Sequence, residues 1–400
     1  MGATDRDIAQ AKDFIAPPGY QRHRPETTLL YQVVAEHYPA FRDRRAAEDR
    51  PLPRYVEDEF EAYLKCGLLE HGFLRVKCDA CQAEKLVAFS CKRRGFCPSC
   101  GARRMAETAA LLVDGVLPQQ PVRQWVLSLP FALRYLLATR PEVVTQVLGI
   151  VYRAISAHLI HKAGLTRASA VTGAVTLIQR FGSSLNLNVH FHLLVLDGVY
   201  RRNGEGRLVF VPVPSPSAEE LKGLVQRIAE RIGRSLERSG LITRDIDNAY
   251  LAFDPTEEAP NHGLLGSSIT YRIAAGPREG QMVFTLQTLP AEPDAPRPEV
   301  AESSGFSLHA GIAAKASQRD KIERLARYVS RPPVATGRLS LTRGGNVRYA
   351  LKTPYRDGTT HVIFEPEDFI ARLVALVPKP RAHLTRYHGV FAPASRDRAR

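Results

Sequence analysis

Six cysteines, all lying between Cys66 and Cys100, constrain this 400-residue chain more than any other feature. Cys78-x2-Cys81 and Cys97-x2-Cys100 stand fifteen residues apart. That is zinc-ribbon spacing, in which two thiolate knuckles close a tetrahedral sulfur shell around one ion. A disulfide framework does not suit a basic chain without an export signal. Cys78, Cys81, Cys97 and Cys100 are therefore expected to hold a structural Zn2+. Cys66 and Cys91 stay open as buried thiols, additional ligands or part of a second site with His71. The cations Lys92, Arg93, Arg94, Arg103 and Arg104 favour thiolates nearby and are candidate DNA contacts.

Charge points the same way. Lys plus Arg number 55 against 41 Asp plus Glu, a net charge of +14. A surface this basic suits a polyanion, most simply nucleic acid, because neutralising phosphates releases counterions. Of the cations 44 are Arg, whose planar forks match phosphate oxygens, although codon bias explains the same count. At 44% hydrophobic and 24% charged residues the composition is globular. The charged start MGATDRDIAQAKDF has no signal-peptide core, and no run approaches the ~18 apolar residues of a membrane span. The expectation is a cytosolic, soluble protein with no membrane partner.

Residues 25–48 carry a helical pattern, and the cysteine region is followed by a second helical stretch, MAETAALLVDGVL. From residue 122 the texture becomes mixed. VRQWVLSLP reads as a strand and 141–163 as a long helix. AVTLIQRFG and LNVHFHLLVL flank the polar turn SSLN and predict an antiparallel hairpin. RLVFVPV adds a strand, 217–238 a helix, and SITYRIAAGPREGQMVFTL a second hairpin turning at Gly276–Gly280. The four prolines of 289–304 mark a loop, and helices follow at 318–330 and 366–377. The fold class is α+β: an N-terminal helical and zinc-ribbon domain (1–118), an antiparallel-sheet domain with helices on one face (119–345), and a C-terminal extension with a basic tail (346–400).

His190 and His192 sit two apart in a strand, so both imidazoles leave one face while Phe191 points to the core. Such a pair can clasp a divalent cation. In a hairpin centred near 184 or 185, Gln179 falls opposite His190 and offers a third, neutral donor. Neutral ligands leave the full charge of the ion available to polarise a phosphate. In RDKIERLARYVSRPP, helical spacing puts Arg324 and Arg331 on roughly the face of Tyr328, and Pro332–Pro333 ends the helix. The guanidinium groups would stabilise a phenolate approaching a phosphodiester. From spacing alone, a packed ring beside surface arginines is the simpler account of Tyr328.

The runs QRFGSSLNLNVHFHLLVLDGVY, RYVSRPP, CDAC and CKRRGFCPSCGARR, with GFSLHAG at 305–311 and ALVPKPRAHLTRYHGVFAP, occur here in one order. Together they resemble rolling-circle insertion-sequence transposases of the HUH (His-hydrophobic-His) superfamily, including the insertion-sequence-common-region (ISCR) type. The resemblance implies that His190 and His192 hold a catalytic Mg2+ or Mn2+, with Gln179 as third ligand. It implies that Tyr328 attacks single-stranded or unwound DNA at the element's ends, leaving a 5′-phosphotyrosine and a free 3′-hydroxyl. The zinc domain would help recognise those ends. Where some relatives carry a second tyrosine, positions 324 and 332 here are Arg and Pro, so the chain resembles a single-tyrosine member; Tyr349 and Tyr387 are the substitutes to consider. Three other readings remain. A replication initiator or mobilisation relaxase would share the chemistry. A non-enzymatic zinc-ribbon regulator leaves the His pair unexplained, and a metallohydrolase would want further His or Asp ligands.

Overall fold

The computed structural model describes residues 24–244, 249–253, 259–291 and 298–397. Helices α1 (Leu29–Ala47) and α2 (Arg54–Lys65) lead into a hairpin, β1 (Phe73–Lys77) and β2 (Glu84–Ala88), and then α3 (Pro98–Ala110). Next come β3 (Val122–Ser128), α4 (Phe131–Thr139), α5 (Pro141–Lys162), β4 (Ala170–Val171), β5 (Gly173–Phe181), β6 (Leu187–Leu196), β7 (Gly198–Arg202) and β8 (Leu208–Pro212). After α6 (Ala218–Arg238) lie β9 (Ile242–Arg244), β10 (Ala249–Leu251), α7 (His262–Ile269) and β11 (Phe284–Gln287). The chain continues through β12 (Val300–Ser303), β13 (Phe306–Ala314) and α8 (Arg319–Val329). It closes with β14 (Leu339–Leu341), β15 (Val347–Ala350), β16 (Thr359–Phe364), α9 (Pro366–Leu376) and β17 (Thr385–Gly389). The fold is mixed α+β, with strands pairing antiparallel.

Six strands make the central sheet in the order β12-β13-β3-β6-β5-β17. Period-2 alternation gives it two different faces. Trp125, Leu127, Phe191, Leu193 and Val195 enter one core with the apolar sides of α4, α5 and α6. Val175, Leu177, Leu194 and Leu196 enter another with Ile322, Leu325, Ala326 and Val329 of α8. Helices thus cover both faces, where one was expected. α8 covers only part of its face, because the same strands carry polar side chains further along. By length and composition α5 could cross a membrane, but Val147, Val151 and Ile155 are buried in the protein core. The helix expected from residue 217 is realised as α6, whose N-cap Ser217 forms a capping box with Glu220.

A third core joins the two ends of the chain. Leu30, Val34 and Phe41 of α1 pack with Phe364, Phe369 and Leu373, and β17 pairs with β5. Two sequence expectations change. The hairpin expected at Gly276–Gly280 reduces to an isolated bridge, Arg272↔Met282. Ser267–Ile269 belong to α7 and β11 pairs with β16, because Phe284–Gln287 is taken up by a four-stranded sheet. The proline-rich loop lies partly outside the described residues, and 300–303 forms the edge strand β12, which pairs with β13.

A buried ion pair ties the central strands. Arg123 Nε and Nη2 donate to Asp197 at 2.8 Å each, and Nη1 donates to the Ala310 carbonyl at 2.8 Å. Both side chains are nearly sequestered, at 9% and 13% exposure. Removing one charge leaves the other desolvated and alone, at ~3–5 kcal/mol. Asp197→Asn is therefore expected to lower the unfolding free energy by about 3 kcal/mol in denaturant titration. A loss below ~1 kcal/mol would show that the pair does not brace the sheet.

Candidate active site and cysteine centre

The β3–β6–β5 register builds one end of the polar face. His190 stands between Ser128 on β3 and Gln179 on β5, and His192 stands between Val126 and Leu177. The hairpin register read from the turn is the one observed. The two imidazoles converge, with His190 Nε2 and His192 Nε2 only 3.1 Å apart. His190 Nδ1–H donates to the Asn188 carbonyl at 2.8 Å, which leaves a bare lone pair on Nε2. His192 Nδ1 lies 2.8 Å from the Gln124 amide, whose Oε1 is buried without a partner. Turning that amide over lets Oε1 accept from Nδ1–H and bares the second Nε2 as well. Burial pushes His190 down to about 4 and His192 well below the usual imidazole range, with nearby Arg331 adding to both. Both rings are neutral near pH 7, the form that binds metals. Two facing lone pairs at this distance repel unless a cation or proton lies between them.

Gln179 is the third group. Its Nε2 donates to the Val329 carbonyl at 2.7 Å, satisfying an otherwise open carbonyl at the end of α8. Its Oε1 is buried with no hydrogen-bond partner. The donor set therefore fits a cation: two neutral imidazoles and a cross-strand amide oxygen otherwise left unsatisfied.

Tyr328 reaches this face from the last turn of α8. Its ring meets that of His192 edge-on, 6.0 Å between centroids, and at 37% exposure it remains open to a large ligand. Two cations lie against the ring: the Arg331 guanidinium at 4.2 Å and Lys352 Nζ at 4.5 Å from its centroid. Arg331 also lies over Phe181 at 5.3 Å. Arg324 is exposed and is not among the groups stacked on the ring. Lys352 and Gln124 escaped the sequence reading: Lys352 follows a strand far along the chain, and only the cross-strand register reveals Gln124. A cleft of about 440 Å3 opens beside Tyr328, with Arg331, Arg338, Lys352, Tyr355 and Arg356 among its walls. Of the substitute tyrosines, Tyr349 is buried at 2% exposure, and burial raises its pKa. Tyr387 packs beside Val175 against the α8 core.

The cysteines form a different set from the one expected. Cys66, Cys91, Cys97 and Cys100 place their Sγ atoms within 4.8 Å of one another. Separations of 3.8 Å (Cys66–Cys100), 3.4 Å (Cys91–Cys100) and 3.7 Å (Cys66–Cys97) suit a tetrahedral shell, whose edge is ~3.8 Å for ~2.3 Å Zn–S bonds. Hydrogen bonds from Cys66, Cys91 and Cys97 hold the Cys100 thiol well below its usual range. Cys78 and Cys81 are exposed instead, in the turn joining β1 to β2. The reason is the hairpin. Gly67 N donates to Phe89 O and Phe89 N to Gly72 O, so the hairpin's base brings Cys66 beside Cys91 while its tip carries the other CxxC away. Cys91 N lies 3.3 Å from Cys66 Sγ. The signal in the sequence was the pair of β-rich runs, FLRVK and EKLVA, bracketed by Cys66 and Cys91. His71 is exposed beside Glu70, outside the cluster. Arg93 and Arg94 precede Cys97, and Arg103 and Arg104 follow Cys100 on α3. Arg94 donates to the Ala382 carbonyl at 3.0 Å, Arg104 to the Lys92 and Arg93 carbonyls, and Arg103 is exposed.

Comparison with known proteins adds two matches. The family model described as "Putative transposase" matches residues 173–399, more than half of the chain and including the His pair and Tyr328. The family described as "Transposase zinc-binding domain" matches residues 33–129, including all six cysteines. No curated protein and no solved structure matches the chain.

Metal analysis separates the two cysteine sets. Cys66→Ser or Cys91→Ser should lose most of the zinc carried by the wild type, whereas Cys78→Ser with Cys81→Ser should retain about one ion per chain. The reverse pattern would restore the ribbon first expected from the spacing.

Proposed function

The chain belongs to this transposase family, and from that premise we propose that it nicks single-stranded DNA at the ends of a mobile element, with Tyr328 as the nucleophile. A DNA-processing protein with a structural zinc domain is what the two matches and the cluster of four cysteines support. The proposal adds the rolling-circle, HUH-type chemistry. One observation carries it: the Nε2 atoms of two neutral histidines face each other at 3.1 Å under the edge of an exposed tyrosine ring.

In the proposed step, Tyr328 Oη attacks the scissile phosphorus in line with the 3′-oxygen. The phenol proton passes to solvent, the P–O3′ bond breaks, the phosphoryl group remains on Tyr328 as a 5′-phosphotyrosine, and the leaving oxygen takes a proton from solvent to become a 3′-hydroxyl. Mg2+ or Mn2+ bound by His190, His192 and Gln179 would supply Lewis acidity to the phosphate. Arg331 and Lys352, already against the tyrosine ring, place positive charge where the pentavalent transition state gathers negative charge. Gln179 gives the site rigidity as well as a ligand, since its amide holds the end of the helix that carries Tyr328. Arg324, exposed one turn earlier, faces the strand's phosphates. Arg93, Arg94, Arg103 and Arg104 contact DNA near the zinc centre. With only Tyr328 stacked against the His192 ring among the described residues, strand transfer reuses Tyr328, uses a water or draws on a second copy of the chain.

The test is covalent trapping. Incubated with single-stranded DNA from the element's ends and Mg2+ or Mn2+, the wild type should form an adduct that peptide mapping assigns to Tyr328. Tyr328→Phe should bind zinc and DNA but form none. The double variant His190→Ala/His192→Ala should cleave about 10³-fold more slowly, the several kcal/mol expected of a bound cation, with most DNA affinity intact. A nucleotide mapped to any other residue would overturn the assignment.

A further inference from the structure

Beyond the catalytic cleft, a second concentration of charge runs from Arg331 to the edge strand β17. A cavity of about 120 Å3 between the cysteine module, β5 and the end of α8 is lined by five arginines, Arg94, Arg104, Arg180 and Arg331 among them. It adjoins a smaller cavity of about 50 Å3 that shares Ile178, Arg180 and Leu384 and adds Lys379, Arg381 and Arg386. Among the described residues neither wall contains an Asp or Glu, although the chain carries 41 acidic residues.

Two of these guanidinium groups are poorly satisfied. Arg180 donates to the Ala138 carbonyl only at 3.4 Å, and Arg386 to Thr145 Oγ1 at 3.4 Å. The Nε atoms of both are buried with no partner. No carboxylate among the described residues lines either cavity to serve as a counterion for Arg180. Desolvating charge in this way is costly unless an anion completes the site. Arg forks match phosphate oxygens in pairs. The tract also begins at the nucleophile, since Arg331 and Phe181 border both the larger cavity and the Tyr328 cleft.

We infer that these two cavities form a phosphodiester-binding track, which grips the backbone of the single strand flanking the scissile phosphate through Arg180, Arg381 and Arg386. This rests on the nicking reading for the identity of the strand. Its donors are guanidinium and ammonium groups, which hold the backbone without reading bases, and the aromatic ring on its wall, Phe181, lies at the Tyr328 end under Arg331. Its position also explains why the cysteine module abuts the nuclease sheet: Arg94 bonds the Ala382 carbonyl and so closes one wall of the track.

The experiment uses the full chain in a Tyr328→Phe background, so that binding is measured without chemistry. Affinity for a fluorescent single-stranded oligonucleotide is titrated against salt. Each single-strand phosphate contact contributes ~0.7 to the slope of log K against log salt. Arg381→Ala/Arg386→Ala should therefore flatten the slope by about 1.4, and Arg381→Ala alone, at an exposed position, by about half of that. Lysine at both positions should restore most of it. Arg207→Ala, on the distant β7–β8 turn, should leave it unchanged. An unaltered slope in the double alanine variant, an equal loss in Arg207→Ala, or no single-strand binding at all would overturn the inference. A chain with Tyr328 intact that forms no adduct would sink the nicking reading while leaving the slope result standing.

Discussion

The cross-strand register between β5 and β6 is the constraint on which the rest of the site depends. Phe191, Leu193 and Val195 must enter the core packed by α4, α5 and α6, and side chains alternate strictly along a strand. His190 and His192 are thereby held on the opposite face. A slip of one residue would bury both histidines and expose a phenylalanine and two aliphatic side chains, so the hydrophobic effect itself fixes where the imidazoles go. The same register sets Gln179 against His190, and from there the Gln179 amide reaches the end of α8.

That face is shared between helix docking and a cluster of polar side chains. Leu177, Leu194 and Leu196 receive the apolar side of α8, while His190, His192 and Gln179 lie on the same face at the other end of those strands. A helix that buries Ile322, Leu325 and Val329 must present the intervening Tyr328 at its margin. The ring therefore sits at the border between a packed core and an open cleft.

The cysteine module is joined to this arrangement by contact. A Cβ on Gly101, one residue after Cys100, would stand 2.5 Å from Pro332 Cβ. Only glycine permits α3 to approach the segment following Tyr328 so closely. Arg331, Cys97 and Gly101 border a common cavity. The cysteine cluster, the helix carrying Tyr328 and the arginine-lined cavity are thus contiguous, although the residues that build them come from distant parts of the chain.

Local patterns decided what could be read early. Alternation in LNVHFHLLVL, a short polar turn and the amphipathic period of RDKIERLARYV were enough to place the hairpin, the face of the histidines and the helix of Tyr328, because each is governed by neighbours within a few residues. Spacing failed for the cysteines. Two knuckles of the right separation were present, yet the intervening hairpin closes at Gly67 and Phe89 and brings Cys66 and Cys91 together instead. Lys352 on the tyrosine ring, Gln124 behind His192 and the poorly satisfied arginines of the basic track carry no local signal. Their meeting depends on how helices and strands from separate regions pack, and side-chain burial settles that geometry only once the whole chain has folded.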